Sequence, residues 1–196
     1  MQTLIFGLVL FLGLHFLPAL PSLRATLQNL LGAGIYKLAF SLGSAVALVA
    51  IVIGFRDAHW ISADSQQLWS LPQGLRHLTM LLMLPAFILL AAAYIPSRIR
   101  TAVRHPMLAA VTLWGAAHLL VRGDEASVLL FASFLAYSLI DRISVEARHA
   151  SGPLGNAAGT LRGDITAIAV GTLAFAITVL WLHGVLIGIP LVPQGA

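Results

Sequence analysis

The amino-acid sequence predicts an all-α integral membrane protein, a polytopic bundle of about six transmembrane helices. Of the 196 residues, 59% are hydrophobic and only 9% are charged, whereas soluble domains carry a charge on about a quarter of their residues. Apolar stretches long enough to cross a bilayer recur along the chain, and the mean hydropathy is +0.94. The length is that of one domain, which we expect to cover residues 1–196.

Six apolar segments are predicted to form these helices. The first is expected to be retained, because no Lys or Arg precedes its apolar run and no A-x-A-like cleavage site follows it. Pro18 and Pro21 are expected to end this first helix. In the second helix, small residues recur every four positions and predict a close helix contact; they are Ala39, Gly43 and Ala47. The six predicted ranges are about 2–21, 35–55, 74–95, 104–124, 126–140 and 165–188.

The connection before the last helix is predicted to be a flexible linker of some two dozen residues. Its glycines lie at positions 152, 155, 159 and 163. They do not form a G-x-G-x-x-G pattern and no strand precedes them, so a nucleotide-binding turn is not indicated.

Basic residues predict the orientation of the chain. Six helices place the odd connections on one side, and that side holds eight basic residues against three on the other. Positive charge accumulates on the cytoplasmic side, so the odd connections are expected in the cytoplasm and both termini outside it. The eight are Arg24, Lys37, Arg98, Arg100, Arg104, Arg142, Arg148 and Arg162; the three are Arg56, Arg76 and Arg122.

Composition also excludes several classes of function. Cysteine is absent, which excludes disulfides, thiolate metal sites, iron–sulfur clusters and covalent attachment of c-type haem. The net charge of +4 is small, and no basic patch interleaved with aromatic residues is present, so nucleic acid is not an expected partner. The expected partner is the lipid bilayer.

The chain is organised around the stretch RHPMLAAVTLWGAAHLLVRGD, residues 104–124, which carries a histidine inside an apolar helix. Pro106 fits the first helical turn, and His118 lies well inside the run. His15 occupies a comparable position in the first helix. Neither has a charged residue within the membrane to pair with, so a mutual partner or a bound cofactor would offset the cost of burying both.

The other five histidines give weaker signals. His59 and His149 are expected in solvated loops, and His105 at headgroup level beside Arg104. His77 and His183 lie within two turns of the predicted outer surface, where a water-filled vestibule would accommodate them. They form the alternative pair of metal ligands.

Imidazole is a ligand for iron, zinc and copper. Zinc requires further histidine or carboxylate ligands, and few are predicted within the membrane, whereas haem iron needs only two axial ligands from the protein. Gly115, Ala116 and Ala117 are small enough to let a flat macrocycle approach the helix beside His118. On spacing alone haem is one of several hypotheses.

Three sequence features resemble the NnrU family of membrane proteins, which includes the 15-cis-zeta-carotene isomerases. They are Phe11 with His15, the His105–Pro106 pair, and WGAAHLLVRGD from Trp114 to Asp124. The resemblance implies haem b with His15 and His118 as axial ligands. It also implies a bacterial inner-membrane protein linked to denitrification and nitric oxide, or a redox-gated isomerase of a lipophilic polyene, with nitric oxide or such a polyene as the ligand.

Two further functions stay open. RHP at 104–106 and DRISVEAR at 141–148 resemble the membrane methyltransferases that use S-adenosylmethionine, although Met107 and Leu108 replace the aromatic residue expected after HP and Glu146 stands single. The chain could also be a non-catalytic assembly or sensor subunit that associates with denitrification membrane proteins or with itself. The sequence determines neither the substrate nor whether the protein is an enzyme.

Overall fold

The computed structural model describes residues 1–61, 65–70, 72, 74–150, 152–155 and 157–192. These residues are mostly helical, and their only β-type pairings are two isolated bridges. The prediction of an all-α protein is therefore confirmed. Contacts divide the chain into two compact units, unit 1 at Met1–Gln66 and unit 2 at Gln67–Ala196.

Unit 1 is built on the packing of its first helix against its third. Gly7 permits this contact, because a Cβ at its position would lie 2.7 Å from the backbone nitrogen of Ile51. Ala47 is fully buried, and Gly43 faces the Leu14 side chain, whereas Ala39 is exposed. Two members of the predicted small-residue stripe thus serve the contact. The helices are α1 (Gln2–Phe16), α2 (Pro21–Leu31) and α3 (Ala33–Arg56), with a 3-10 turn at Leu17–Ala19 and a π-helical turn at Asp57–Ile61.

Unit 2 contains the remaining helices. They are α4 (Leu75–Ala92), α5 (Arg98–Val103), α6 (Pro106–Leu119), α7 (Glu125–Ala147), α8 (Leu161–Ile177) and α9 (His183–Ile187), with a π-helical turn at Thr178–Leu182. α4 packs against α6 and α8, and α6 packs against α7. The short helix α5 and the helix α2 of unit 1 were not predicted, and α7 extends seven residues beyond its predicted end. α2 contains Asn and Gln, and α5 contains arginines, so a search for long apolar segments does not detect these two helices.

Within the described ranges, five helical segments are long and apolar enough to cross a membrane, and α6 is shorter. Its 14 residues extend about 21 Å, less than the roughly 30 Å of a hydrocarbon core. The predicted helix 104–124 is thus too long at both ends. The helix begins at Pro106, as the proline indicates. It ends at Leu119 because Asp124 caps the next helix, where its side chain accepts a hydrogen bond from the Ser127 backbone N–H at 3.1 Å.

α6 packs closely against α7 within unit 2. The hydroxyls of Thr112 on α6 and Ser138 on α7 are 2.8 Å apart. Gly115 lies against the Phe131 carbonyl, since a Cβ there would be 3.0 Å from that oxygen. Residue numbers rise along α6 as they fall along α7, so the two helices are antiparallel.

Candidate functional site

His118 is the second-last residue of α6 and is half-buried. Its Nδ1 lies 2.9 Å from the carbonyl oxygen of Trp114, one helical turn earlier. A carbonyl can only accept, so Nδ1 carries the proton and Nε2 keeps its lone pair. The Phe131 ring stacks on the imidazole, with centroids 4.4 Å apart and planes 17° from parallel. The imidazole is thus held in one tautomer with Nε2 as the available ligand atom, which is the usual arrangement of a metal-binding histidine.

His15 has the same local geometry in unit 1. It is the second-last residue of α1, and its Nδ1 lies 2.8 Å from the carbonyl oxygen of Phe11. The Phe11 ring stacks on the imidazole at a centroid distance of 4.0 Å, and Phe40 lies 5.2 Å away. In both histidines an aromatic residue four positions earlier supplies the accepting carbonyl. α1 and α6 end earlier than the predicted ranges 2–21 and 104–124, so both histidines lie at helix ends instead of well inside a helix.

The alternative pair, His77 and His183, belongs to unit 2. His77 lies in the first turn of α4 and is exposed. His183 begins α9, is half-buried, and has its Nδ1 2.7 Å from the Ile189 carbonyl oxygen. His183 is near enough to His118 for the two to interact electrostatically. Within unit 2, therefore, His183 is the histidine brought towards His118.

A metal site with three or more histidine or carboxylate ligands is not found among the described residues. Haem iron makes no such demand, since the porphyrin supplies four of its ligands and the protein at most two. The imidazole of His118 and that of His15, each with an oriented Nε2, are separately suited to be such a ligand.

The rest of the block from Trp114 to Asp124 holds the end of α6 in place. Thr79 donates a hydrogen bond of 2.9 Å to the Ala117 carbonyl. Arg122 pairs with Asp124 at 3.3 Å. Gly123 has no space for a Cβ because Trp69 lies against it. These residues position the turn that follows His118.

A second polar feature lies at the opposite end of α6, where the structure brings RHP and DRISVEAR together. Arg104, His105 and Glu146 line a cavity of about 550 Å³, together with Arg100 and His149. Burial is the main cause that lowers the pKa of His105 from its ordinary value, and the Arg142 guanidinium lowers it further, while Glu146 acts in the opposite direction. Sequence reasoning missed this cavity, although the two motifs that line it were recognised.

The fold and these sites define a helical membrane protein with oriented histidines and a polar cavity among its helix ends. The family model described as NnrU protein matches residues 3–191, and the chain belongs to that family. No curated protein matches the chain, and no solved structure does. The match covers nearly all of both units.

Proposed function

We propose that the protein binds haem b non-covalently and that His118 is one of its axial ligands. The observation that carries this proposal is the hydrogen bond from Nδ1–H of His118 to the Trp114 carbonyl, which leaves Nε2 for a metal. The stacked Phe131 ring restricts rotation of the imidazole. His15 has an equally oriented Nε2 and is the predicted second ligand.

A bound haem would supply redox-active iron that accepts nitric oxide or other small ligands. The chain's own residues would orient the imidazoles and exclude water. Phe131 and Trp114 form apolar walls beside His118, at ring-centroid distances of 4.4 and 5.3 Å. Phe11 and Phe40 do the same at His15. Such surroundings favour haem, which has large apolar faces.

The proposed role is a haem-based membrane component of nitric oxide and denitrification metabolism in the inner membrane. Family membership and the oriented histidines support it. If the protein is an enzyme, the proposed reaction is isomerisation of a lipophilic polyene at the same haem. Co-purification with a nitric oxide reductase would instead favour a non-catalytic assembly or sensor subunit.

The test is the haem content of protein expressed with adequate haem supply. A pyridine haemochrome assay should give about one haem b per chain, and His118→Ala should lose most of it. His77→Ala removes an exposed histidine of the same unit and serves as the matched control, which should keep its haem. A folded wild-type preparation without haem would refute the proposal.

One observation favours a second candidate, the S-adenosylmethionine-dependent methyltransferase. Arg104, His105 and Glu146 line one cavity, as that function requires. However, Glu146 is already paired with Arg142 at 2.7 Å, and this candidate assigns no role to His15 or His118. Equilibrium dialysis with S-adenosylmethionine tests it. Saturable binding that is lost in Glu146→Gln would support it.

A further inference from the structure

The cavity beside Arg104 lies at the end of unit 2 where α5 and α7 end and α6 begins. The loop after α7 closes it, with Gly152, Gly155 and Ala157. Its volume of about 550 Å³ is within the range of small-molecule sites. Arg104, Glu146 and His149 are exposed, so the cavity opens to the surroundings of the protein. Nothing in the haem proposal uses it.

The charges around this cavity are unbalanced. Of the carboxylates beside it, Glu146 pairs with Arg142 at 2.7 Å and Asp141 with Arg148 at 3.4 Å, and neither arginine lines the cavity. Asp164 accepts a hydrogen bond from the Ile99 backbone N–H at 3.1 Å. The lining arginines, Arg100 and Arg104, form no ion pair with a carboxylate in the described part of the chain. The lining therefore carries two arginines against one carboxylate, Glu146, which already pairs with Arg142.

Arg100 is the more informative of the two because it is 7% exposed. Its guanidinium donates to the carbonyl oxygens of Ala157, at 3.1 Å, and of Gly155. These bonds fix the loop and use two of its five N–H donors. They do not neutralise the charge, and a buried charge normally has a counter-ion.

The backbone adds an independent observation. Among the described residues other than glycine, only Arg104 and His149 have a positive φ, at 64° and 49°. Both line this cavity. At His149 this conformation belongs to the C-terminal cap of α7, since the Ala150 N–H donates to the Val145 carbonyl at 2.9 Å. At Arg104 it costs free energy that the surrounding structure must offset, as is common at binding sites.

We propose that this cavity binds a phosphate group, through the guanidinium groups of Arg104 and Arg100. Arginine binds phosphate oxygens with charge-assisted hydrogen bonds. The cavity lies at the ends of membrane-crossing helices, where the headgroup phosphates of lipids are found and where basic pockets bind anionic lipids. The phosphate belongs either to an anionic phospholipid or to a soluble phosphorylated molecule, and the experiment separates these sources.

Two probes are used on the full chain in detergent and in nanodiscs. The first is inorganic phosphate, titrated while the thermal unfolding midpoint is recorded. The second is phosphatidylglycerol, counted by native mass spectrometry after reconstitution in nanodiscs of phosphatidylglycerol and phosphatidylcholine. A rise in midpoint with phosphate indicates a soluble ligand, and selective retention of phosphatidylglycerol alone indicates a lipid. Either supports the site.

Arg104→Gln is the decisive variant, because the Arg104 side chain is exposed and donates no hydrogen bond to another described residue. Loss of one arginine–phosphate contact should weaken binding by about tenfold or more. Arg98→Gln is the matched control, since Arg98 is exposed on α5, the helix that ends just before Arg104, but does not line the cavity. It should bind as the wild type does.

Arg104→Gly separates binding from folding. Glycine adopts a positive φ without strain, so this variant should unfold at the same or a higher temperature than the wild type and still lose phosphate binding. The proposal is overturned if neither probe binds, including the case in which S-adenosylmethionine alone raises the midpoint, or if Arg104→Gln and Arg98→Gln weaken binding equally.

Discussion

Thr79 on α4 donates a hydrogen bond of 2.9 Å to the carbonyl oxygen of Ala117, the residue before His118. Ala117 lies in the last turn of α6, where carbonyls have no partner within their own helix. Thr79 is buried, with 7% of its surface exposed. This contact therefore satisfies a buried acceptor and ties the position of His118 to α4.

Thr79→Val should destabilise the protein by about 1–3 kcal/mol, because valine has the shape of threonine but leaves the Ala117 carbonyl without its donor. The thermal unfolding midpoint in detergent measures this. Thr79→Ser keeps the hydroxyl and should lose less. Thr166→Val removes an exposed hydroxyl that donates to the Arg162 carbonyl four residues earlier, and should change stability by about 0.5 kcal/mol or less. Equal effects of the Thr79→Val and Thr166→Val substitutions would contradict the argument.

Gly7→Ala should destabilise unit 1 by about 1–3 kcal/mol, because an added Cβ would lie 2.7 Å from the Ile51 nitrogen and force α1 and α3 apart. Gly13 lies on the same helix, and a Cβ there meets no atom within 4 Å. Gly13→Ala should therefore be neutral, or stabilising by up to about 1 kcal/mol through helix propensity. Thermal midpoints of both variants check the difference, and a tolerated Gly7→Ala would refute the close contact.

The sequence predicted most of the fold because apolar length alone determines which segments can cross a membrane. Helix boundaries were predicted where proline marks them: Pro106 begins α6, and α1 ends at Phe16, just before Pro18. The helical character of 21–31 and 98–103 was missed, because these segments contain polar residues and no local signal separates them from loops. The early end of α6 follows from the capping of α7 by Asp124, a contact between neighbouring segments.

The candidate site was predictable in part. His15 and His118 could be selected because apolar residues surround them in sequence, and the structure gives both the same hydrogen bond to the carbonyl four residues earlier. The stacking of Phe131 on His118 could not be predicted, because it joins α6 to α7. The cavity depends on the backbone of Arg104 and on carbonyls of the loop after α7, neither of which a sequence pattern reports.

Acidification should destabilise the wild type through His105. The pKa of His105 in the folded protein is lowered, by burial first and by Arg142 second. As the pH falls below the ordinary value of 6.5, the unfolded chain takes up this proton before the folded one does, so the contribution of His105 to stability is present above that pH and is lost below it. The groups that act on it are Arg104, Asp141, Arg142 and Glu146.

His105→Asn removes this titration and keeps a residue suited to begin α6. The unfolding midpoint of the wild type should therefore fall more steeply than that of the variant between pH 7 and pH 5. Parallel pH profiles would show that His105 contributes nothing to the acid sensitivity.

Six membrane crossings should place both termini on the same side, outside the cytoplasm. The end of α6 lies beside the start of α4 through Thr79 and Ala117, and His105 before its start interacts with Glu146 near the end of α7. α6 therefore joins opposite ends of unit 2 despite its length. Reporter fusions at the N-terminus, at the C-terminus and in the loop 149–160 measure the sidedness. Opposite readouts at the two termini would mean that α6 does not cross.

The second axial ligand should be His15, and its removal should change the iron's coordination rather than the haem content. With two imidazole ligands the iron of a bound haem would be six-coordinate and low-spin at rest. His15→Ala should leave a five-coordinate, high-spin haem that binds nitric oxide faster, because no ligand has to leave first, whereas His118→Ala should lose the haem. Absorption and electron paramagnetic resonance spectra distinguish these states.

His183→Ala is the decisive comparison, since His183 interacts electrostatically with His118 within unit 2. The second ligand would be His183 if His15→Ala kept an unaltered low-spin spectrum while His183→Ala became high-spin. If His15→Ala and His118→Ala both kept unaltered spectra, the ligands would be His77 and His183.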